Sequence, residues 1–377
     1  MSAATAYNQM NPFTPMFGKV PAYMAGRELI IENMVQAFDV AGSNPDLCSI
    51  FVGARGTGKT ALLTYLGHRA EQMGWVVASA TASNGMLDDI EQRVRASSAH
   101  LISAASSKKL AGASIASLGG ISWENIEPSA NWRSRLNLIL DQLNEANTGL
   151  VISVDEIDPS IPEMVELVTT YQHFVRENRK VALIMAGLPY KVSALLSGKT
   201  TSFLRRAARH NLGSIPDYEV KEAFRLTVED GGKRIDDDAL DLAASAIGGF
   251  PFMFQLVGYR SWNAARKERI ISVEHVRQGS QIAKEEFDSR VLEATYAELS
   301  KGDISFLQTM NEEGETSRAE VAERAGKKPA WVSTYKKRLL EAGVIEEPSP
   351  GVFEYALPGM GEYLQNRGRF PSFPCVL

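Results

Sequence analysis

The sequence predicts an α/β protein: a parallel sheet wound with helices, then an all-helical unit, then a three-helix unit closed by a hairpin. Three observations predict it. Residues 53–60 read GARGTGKT between an apolar run (47–52) and a helix-forming run (60–72). Four of the five residues 150–154 are apolar and β-favouring, and the run leads into Asp155 and Glu156. From Pro216 onward the pattern turns helical, until Pro348, Ser349, Pro350 and Gly351 mark a turn between two short β-favouring runs. Strands alternating with helices require parallel pairing with helices on both faces.

The N-terminal residues 1–25 are polar and carry Pro12, Pro15 and Pro21, which predicts an extended arm. A helix is expected over 28–40, a strand over 47–52 and a second strand over 75–80, after a stop at Gly74. Residues 103–121 (SAASSKKLAGASIASLGGI) are small and serine-rich, and two readings are open, a flexible insertion or a weak hairpin. Regularity resumes with a helix over 132–144, the carboxylate-tipped strand, a helix over 162–178 and a strand over 181–186. Helices over 218–229, 237–246, 252–266 and 273–299 follow, with Asp236 and Ser272 as N-caps. The last unit reads as helices over 304–311, 318–325 and 330–342, then strands over 344–347 and 352–357. Ser317 would cap its second helix and Gly343 end its third. That order is a winged helix-turn-helix. The expected divisions are 1–25, 26–215, 216–300 and 301–370.

Composition narrows the classes. With 377 residues and 44% apolar content the chain can bury more than one core, and a net charge of −5 excludes a polycation. Cys48 and Cys375 form no disulfide framework, and His68, His100, His173, His210 and His275 are not at metal-ligand spacing. Lys19 is the first cation, no apolar run precedes it, and the longest apolar stretch, 181–188, is too short for a bilayer. A cytoplasmic protein without membrane partners is expected.

The chemistry sits in the two strand ends. GARGTGKT fits G-x-x-x-x-G-K-[ST], a phosphate-binding P-loop. A strand feeding a glycine loop and a helix start aims backbone N–H groups and the positive helix end at one point. Gly53, Ala54, Arg55, Gly56, Thr57, Gly58 and Ala61 would line that point, with Lys59 on the β- and γ-phosphates. Thr60 would ligate Mg²⁺. Asp155 would share that Mg²⁺, and Glu156 would polarise the attacking water. ATP and Mg²⁺ are the expected cofactors, and ATP hydrolysis the expected activity. In the last unit, Lys327, Lys328, Lys336, Lys337 and Arg338 stand in one acid-free stretch, with Ser333 and Thr334 between them. Such a stretch fits double-stranded DNA, with lysines on phosphates and hydroxyls at base edges. Trp331, Val332, Leu339 and Leu340 read as core.

These motifs together resemble the AAA+ superfamily, and within it the origin-recognition-type initiator ATPases of archaea and their bacterial relatives. The opening NPFTP and GRE are similar to that group. The resemblance implies a P-loop AAA+ sheet, a helical lid and a C-terminal winged helix-turn-helix domain. It implies that Arg27 borders the adenine, that Arg205 or Arg206 is a finger donated to a neighbouring subunit, and that ATP binding promotes self-association. Two departures stand out. Gly187, Leu188 and Pro189 occupy the place of a polar sensor, and Gly248, Gly249, Phe250, Pro251 and Phe252 that of the lid arginine. The second element is similar to the lid of STAND switches. Hence three readings: a DNA-associated initiator-like ATPase, a STAND-like signalling or defence switch without specific DNA binding, and a helicase-loader or transposition-accessory protein.

Overall fold

The computed structural model describes residues 10–16, 18–42, 44–109 and 131–369. The first layer holds α1 (Glu28–Val40), β1 (Cys48–Val52), α2 (Lys59–Gln72), β2 (Val76–Thr81), α3 (Met86–Lys109), α4 (Trp132–Glu145), β3 (Leu150–Asp155), α5 (Pro162–Arg176), β4 (Val181–Gly187), α6 (Pro189–Ser197), a 3₁₀ turn (Ser202–Arg206) and β5 (Ala208–Asn211). The five strands pair in parallel in the order β2-β3-β4-β1-β5. β4 is buried along its whole length because it is apolar throughout. Val181, Leu183 and Met185 join the core under α3 to α6, while Ala182, Ile184 and Ala186 join the core under α1 and α2.

Sequence reading missed part of this layer. Residues 103–109 continue α3, so they are neither insertion nor hairpin; the rest of that stretch, 110–121, lies outside the described residues. The edge strand β5 was also not foreseen.

The lid follows as α7 (Asp217–Asp230), β6 (Arg234–Ile235), α8 (Asp237–Ile247), α9 (Pro251–Ala264), β7 (Ile270–Ile271) and α10 (Val273–Phe287). A π-helical turn, Asp288–Leu292, and α11 (Glu293–Ala297) lead out of it, so the helix expected over 273–299 is interrupted. Asp236 stands at the α8 start without a side-chain bond to it, whereas the Ser272 N–H donates to Nδ1 of His275 (3.1 Å). The C-terminal unit comprises α12 (Lys301–Leu307), β8 (Thr316–Ser317), α13 (Arg318–Ala325), α14 (Pro329–Ala342), β9 (Ile345–Ser349), β10 (Val352–Tyr355) and α15 (Met360–Arg369). Its three strands pair antiparallel in the order β8-β10-β9. Ser317 and Glu320 close a reciprocal cap on α13, and Gly343 ends α14 at φ 67°. One buried apolar cluster runs from the lid through Phe287 and Leu292 into this unit.

The N-terminal arm docks on the lid. Phe13 is 1% exposed, against Phe224 (5.0 Å) and Phe254 (5.9 Å). Its ring lies over Gly258, where any Cβ would come within 2.1 Å of it. Asn11 donates to the Tyr259 carbonyl (3.0 Å), and the Thr14 N–H to Gln255 (2.8 Å). Phe13→Ala should therefore cost about 3–5 kcal/mol of lid stability. Chemical denaturation followed by tryptophan fluorescence checks this; an unmoved midpoint would contradict it.

Candidate nucleotide site

β1 ends at Val52, beside Gly187 at the end of β4, and Thr81 at the end of β2 lies beside Asp155 at the end of β3. The glycine loop and both carboxylates therefore leave the same edge of the sheet. Gly56 (φ 82°) and Gly58 (φ 87°) turn the loop through the left-handed region. At Gly56 a side chain is excluded twice, since a Cβ would sit 2.5 Å from the Phe250 ring. Thr57 is buried and donates to the Ala54 carbonyl (2.9 Å), and Ala54 itself is buried. No side chain caps α2 and no acid occupies its first turn, which includes Ala61. Its leading N–H groups thus face outward as an anion cradle.

Lys59 Nζ donates to the carbonyls of Gly53 (2.8 Å) and Ala54 (2.6 Å). Among the described residues it forms no ion pair, and burial pushes its pKa down to about 8 against the pull of Asp155 and Glu156. A partly buried cation held by neutral acceptors fits a polyphosphate. The Thr60 hydroxyl donates to Asp155 Oδ2 (2.5 Å). Among the described residues no cluster of three His, Cys, Asp or Glu could hold a metal. One carboxylate and one hydroxyl suit Mg²⁺, whose shell is otherwise completed by phosphate and water. Both line a polar cavity of about 420 Å³ with Thr64, Thr81, Asn84 and Ser153.

Glu156 is exposed and takes φ 55°, a left-handed conformation costing a non-glycine residue about 1–3 kcal/mol. Its N–H donates to Asp155 Oδ1 (2.9 Å), while Ile157 next to it is buried and bonded to the Ala186 carbonyl (2.9 Å). That kink turns the Glu156 side chain outward beside the Asp155 carboxylate. Sequence reasoning passed over Lys191, which pairs with Asp158 (2.6 Å) just beyond the kink. Burial pushes the Asp158 carboxyl up, but the bonds from Lys191 and Ser160 outweigh it and hold it low.

Arg27 is buried, and its guanidinium donates to the carbonyls of Gly26 and Gly213, both at 2.9 Å. It straps the start of α1 to the lid connection. Arg55 is exposed and pairs with Glu298 (3.8 Å). Arg205 and Arg206 are exposed on the 3₁₀ turn, and Arg205 Nε donates to the Leu196 carbonyl (3.0 Å). Ala208 pairs with Ser49, so both arginines sit near the start of β1, roughly 15 Å from the loop at its end. They cannot serve their own loop.

The basic stretch is divided by the structure. Lys327, Lys328 and Lys337 are exposed, as are Ser333 and Thr334. Ser333 accepts from Arg318 (2.7 Å) and Thr334 donates to the Ala330 carbonyl (3.0 Å). Lys336 and Arg338 are both engaged in ion pairs within the unit. Lys336 pairs with Glu347 on β9 (2.6 Å), and Arg338 grips buried Asp303 with two bonds (2.9 and 2.8 Å). Both hold α14 to its neighbours. Val332 and Leu339 are buried, and Trp331 and Leu340 pack on the core as expected.

A P-loop sheet with its acidic strand two places from the loop strand, a helical lid and a helix-and-hairpin unit define the AAA+ fold. The chain has the fold of the archaeal origin-recognition ATPases. It overlays the Aeropyrum pernix ORC2 protein in its ADPNP-ADP complexes with TM-score 0.63 at 16% identity, covering 95% of this chain and 98% of that one. A Walker-type ATPase of Pyrococcus abyssi gives 0.60 at 12% identity (91% and 96%). Cdc6p of Pyrobaculum aerophilum gives 0.50 at 15% identity (93% and 96%). No curated protein matches the sequence. One family model, a domain of unknown function (DUF8462), matches residues 289–364, from the π-helical turn to α15. Among the described residues no helix is long and apolar enough to cross a membrane.

Proposed function

We propose that this chain is a nucleotide-controlled AAA+ ATPase that binds ATP, hydrolyses it slowly and thereby governs its C-terminal winged-helix unit, which binds duplex DNA. The observation that carries this is the partly buried Lys59 at the uncapped start of α2, facing the Thr60–Asp155 pair. The ADPNP and ADP in the name of the A. pernix relative support an adenine nucleotide. The backbone of Gly53 to Ala61 would cradle the phosphates, and Lys59 would exchange its two carbonyls for β- and γ-oxygens. Thr60 and Asp155 would hold Mg²⁺, which screens the charge of the transferring phosphoryl group. Glu156 would orient the attacking water, and Arg27 would wall the base side without donating to it. Arg205 or Arg206 would complete a neighbour's site, so ATP binding and self-association would go together.

With no polar side chain at Gly187–Pro189 and the finger supplied in trans, isolated protein should turn over about once per minute or more slowly. A phosphate-release assay tests this. A concentration-independent rate above ~1 s⁻¹ would refute the switch reading.

DNA binding rests on Lys327, Lys328 and Lys337. Reversing all three to Glu should abolish duplex binding at low salt and leave ATP binding intact, each lost contact lowering the salt slope by about 1. A filter-binding salt series on wild type and variant checks it. A signalling switch without DNA binding is the second reading, favoured by the seating of α14 against α6, where Gly343 meets Leu188. Wild type that binds no duplex at ~50 mM salt would decide for it.

A further inference from the structure

Glu346 on β9 stands directly across from Glu354 on β10, and both side chains are half-buried. Like charges in direct register destabilise a strand pair. Burial and Glu354 push the Glu346 carboxyl up, and the one cation opposing them is Lys59 of the glycine loop. The same face is seated on the ATPase layer at other points. Leu188 Cδ2 would lie 3.2 Å from a Cβ on Gly343, the residue that leads into β9. Glu298, just beyond α11, pairs with Arg55 of the loop. Acidic groups from the C-terminal half thus act on both cations of the phosphate-binding loop, Glu298 by pairing with Arg55 and Glu346 through space on Lys59, which is the charge pattern of the ligand that loop is built for.

We propose that Glu346 is an electrostatic latch: it faces Lys59 when the C-terminal unit is docked, and a triphosphate in the loop takes over Lys59, repels Glu346 and loosens the unit. This rests on the reading that the loop binds a triphosphate. Coupling is reciprocal, so the docked carboxylate must lower ATP affinity by the factor by which ATP weakens docking. For partly screened unit charges near a protein surface, that factor is on the order of three- to thirty-fold.

The test uses the full chain with Glu346→Gln, which keeps shape and removes charge. Calorimetric titration with ATP and Mg²⁺ should show affinity about three- to thirty-fold tighter than wild type. Without nucleotide, hydrogen exchange should quicken in peptides spanning 186–197 and 340–349. Glu354→Gln relieves the cross-strand repulsion and leaves Glu346 facing Lys59, so its exchange should stay as slow as wild type. Unchanged affinity and exchange in Glu346→Gln would overturn the latch, and so would equal loosening by both variants, which marks damage to the hairpin alone. If wild type binds no ATP, the nucleotide reading is what fails, while faster exchange in Glu346→Gln alone still supports the contact between the two units.

Discussion

Lys59→Ala is expected to weaken ATP binding by at least about 3 kcal/mol, more than a hundredfold. The ammonium now bonds two neutral carbonyls at 2.8 and 2.6 Å. Phosphate oxygens would replace them with charge-assisted bonds, each worth about 1.5–3 kcal/mol in a partly desolvated site. Alanine removes both and leaves the phosphates facing only backbone donors. The loss should not arise from unfolding. The only described partners that alanine would lose are the two loop carbonyls, so thermal stability should fall far less than ATP affinity. Calorimetry with thermal denaturation as control separates the two. Equal affinity in wild type and variant would overturn the phosphate-loop assignment.

Glu156→Gln should leave ATP affinity near wild type and slow hydrolysis about 10²- to 10⁴-fold. The amide keeps the length and the outward direction set by the left-handed backbone at φ 55°, but cannot accept the proton of an attacking water. Single-turnover phosphate release reads the chemical step. A rate equal to wild type would show that another group positions the water. Lys191, paired with Asp158 two residues further on, would then be the first to examine.

The site was legible because its parts are local. GARGTGKT carries its own conformation in Gly56 and Gly58, and the run ending in Asp155 announces a buried strand. Caps behaved likewise, with Ser317 and Glu320 three residues apart. What escaped the sequence depends on distant partners. Phe13 reads as part of an arm until Gly258 opens a slot for it. The ion-pair partners of Lys336 and Arg338 are not legible locally, because Glu347 and Asp303 lie 11 and 35 residues away. β5, ARHN, is a half-exposed edge strand with little apolar content, so only its pairing with β1 makes it a strand. The serine-rich end of α3 lacks an apolar stripe, and nothing local separates it from a loop.

The central claim is that the glycine loop binds ATP through Lys59 with a cation between Thr60 and Asp155. Titration of the wild-type protein with ATP, once with Mg²⁺ and once with a chelator, tests it most directly. The account predicts one saturable site per chain, with affinity falling at least tenfold when Mg²⁺ is removed, because the Asp155 carboxylate then faces the phosphates unscreened. Absence of saturable binding at millimolar ATP, or binding indifferent to Mg²⁺, would contradict it.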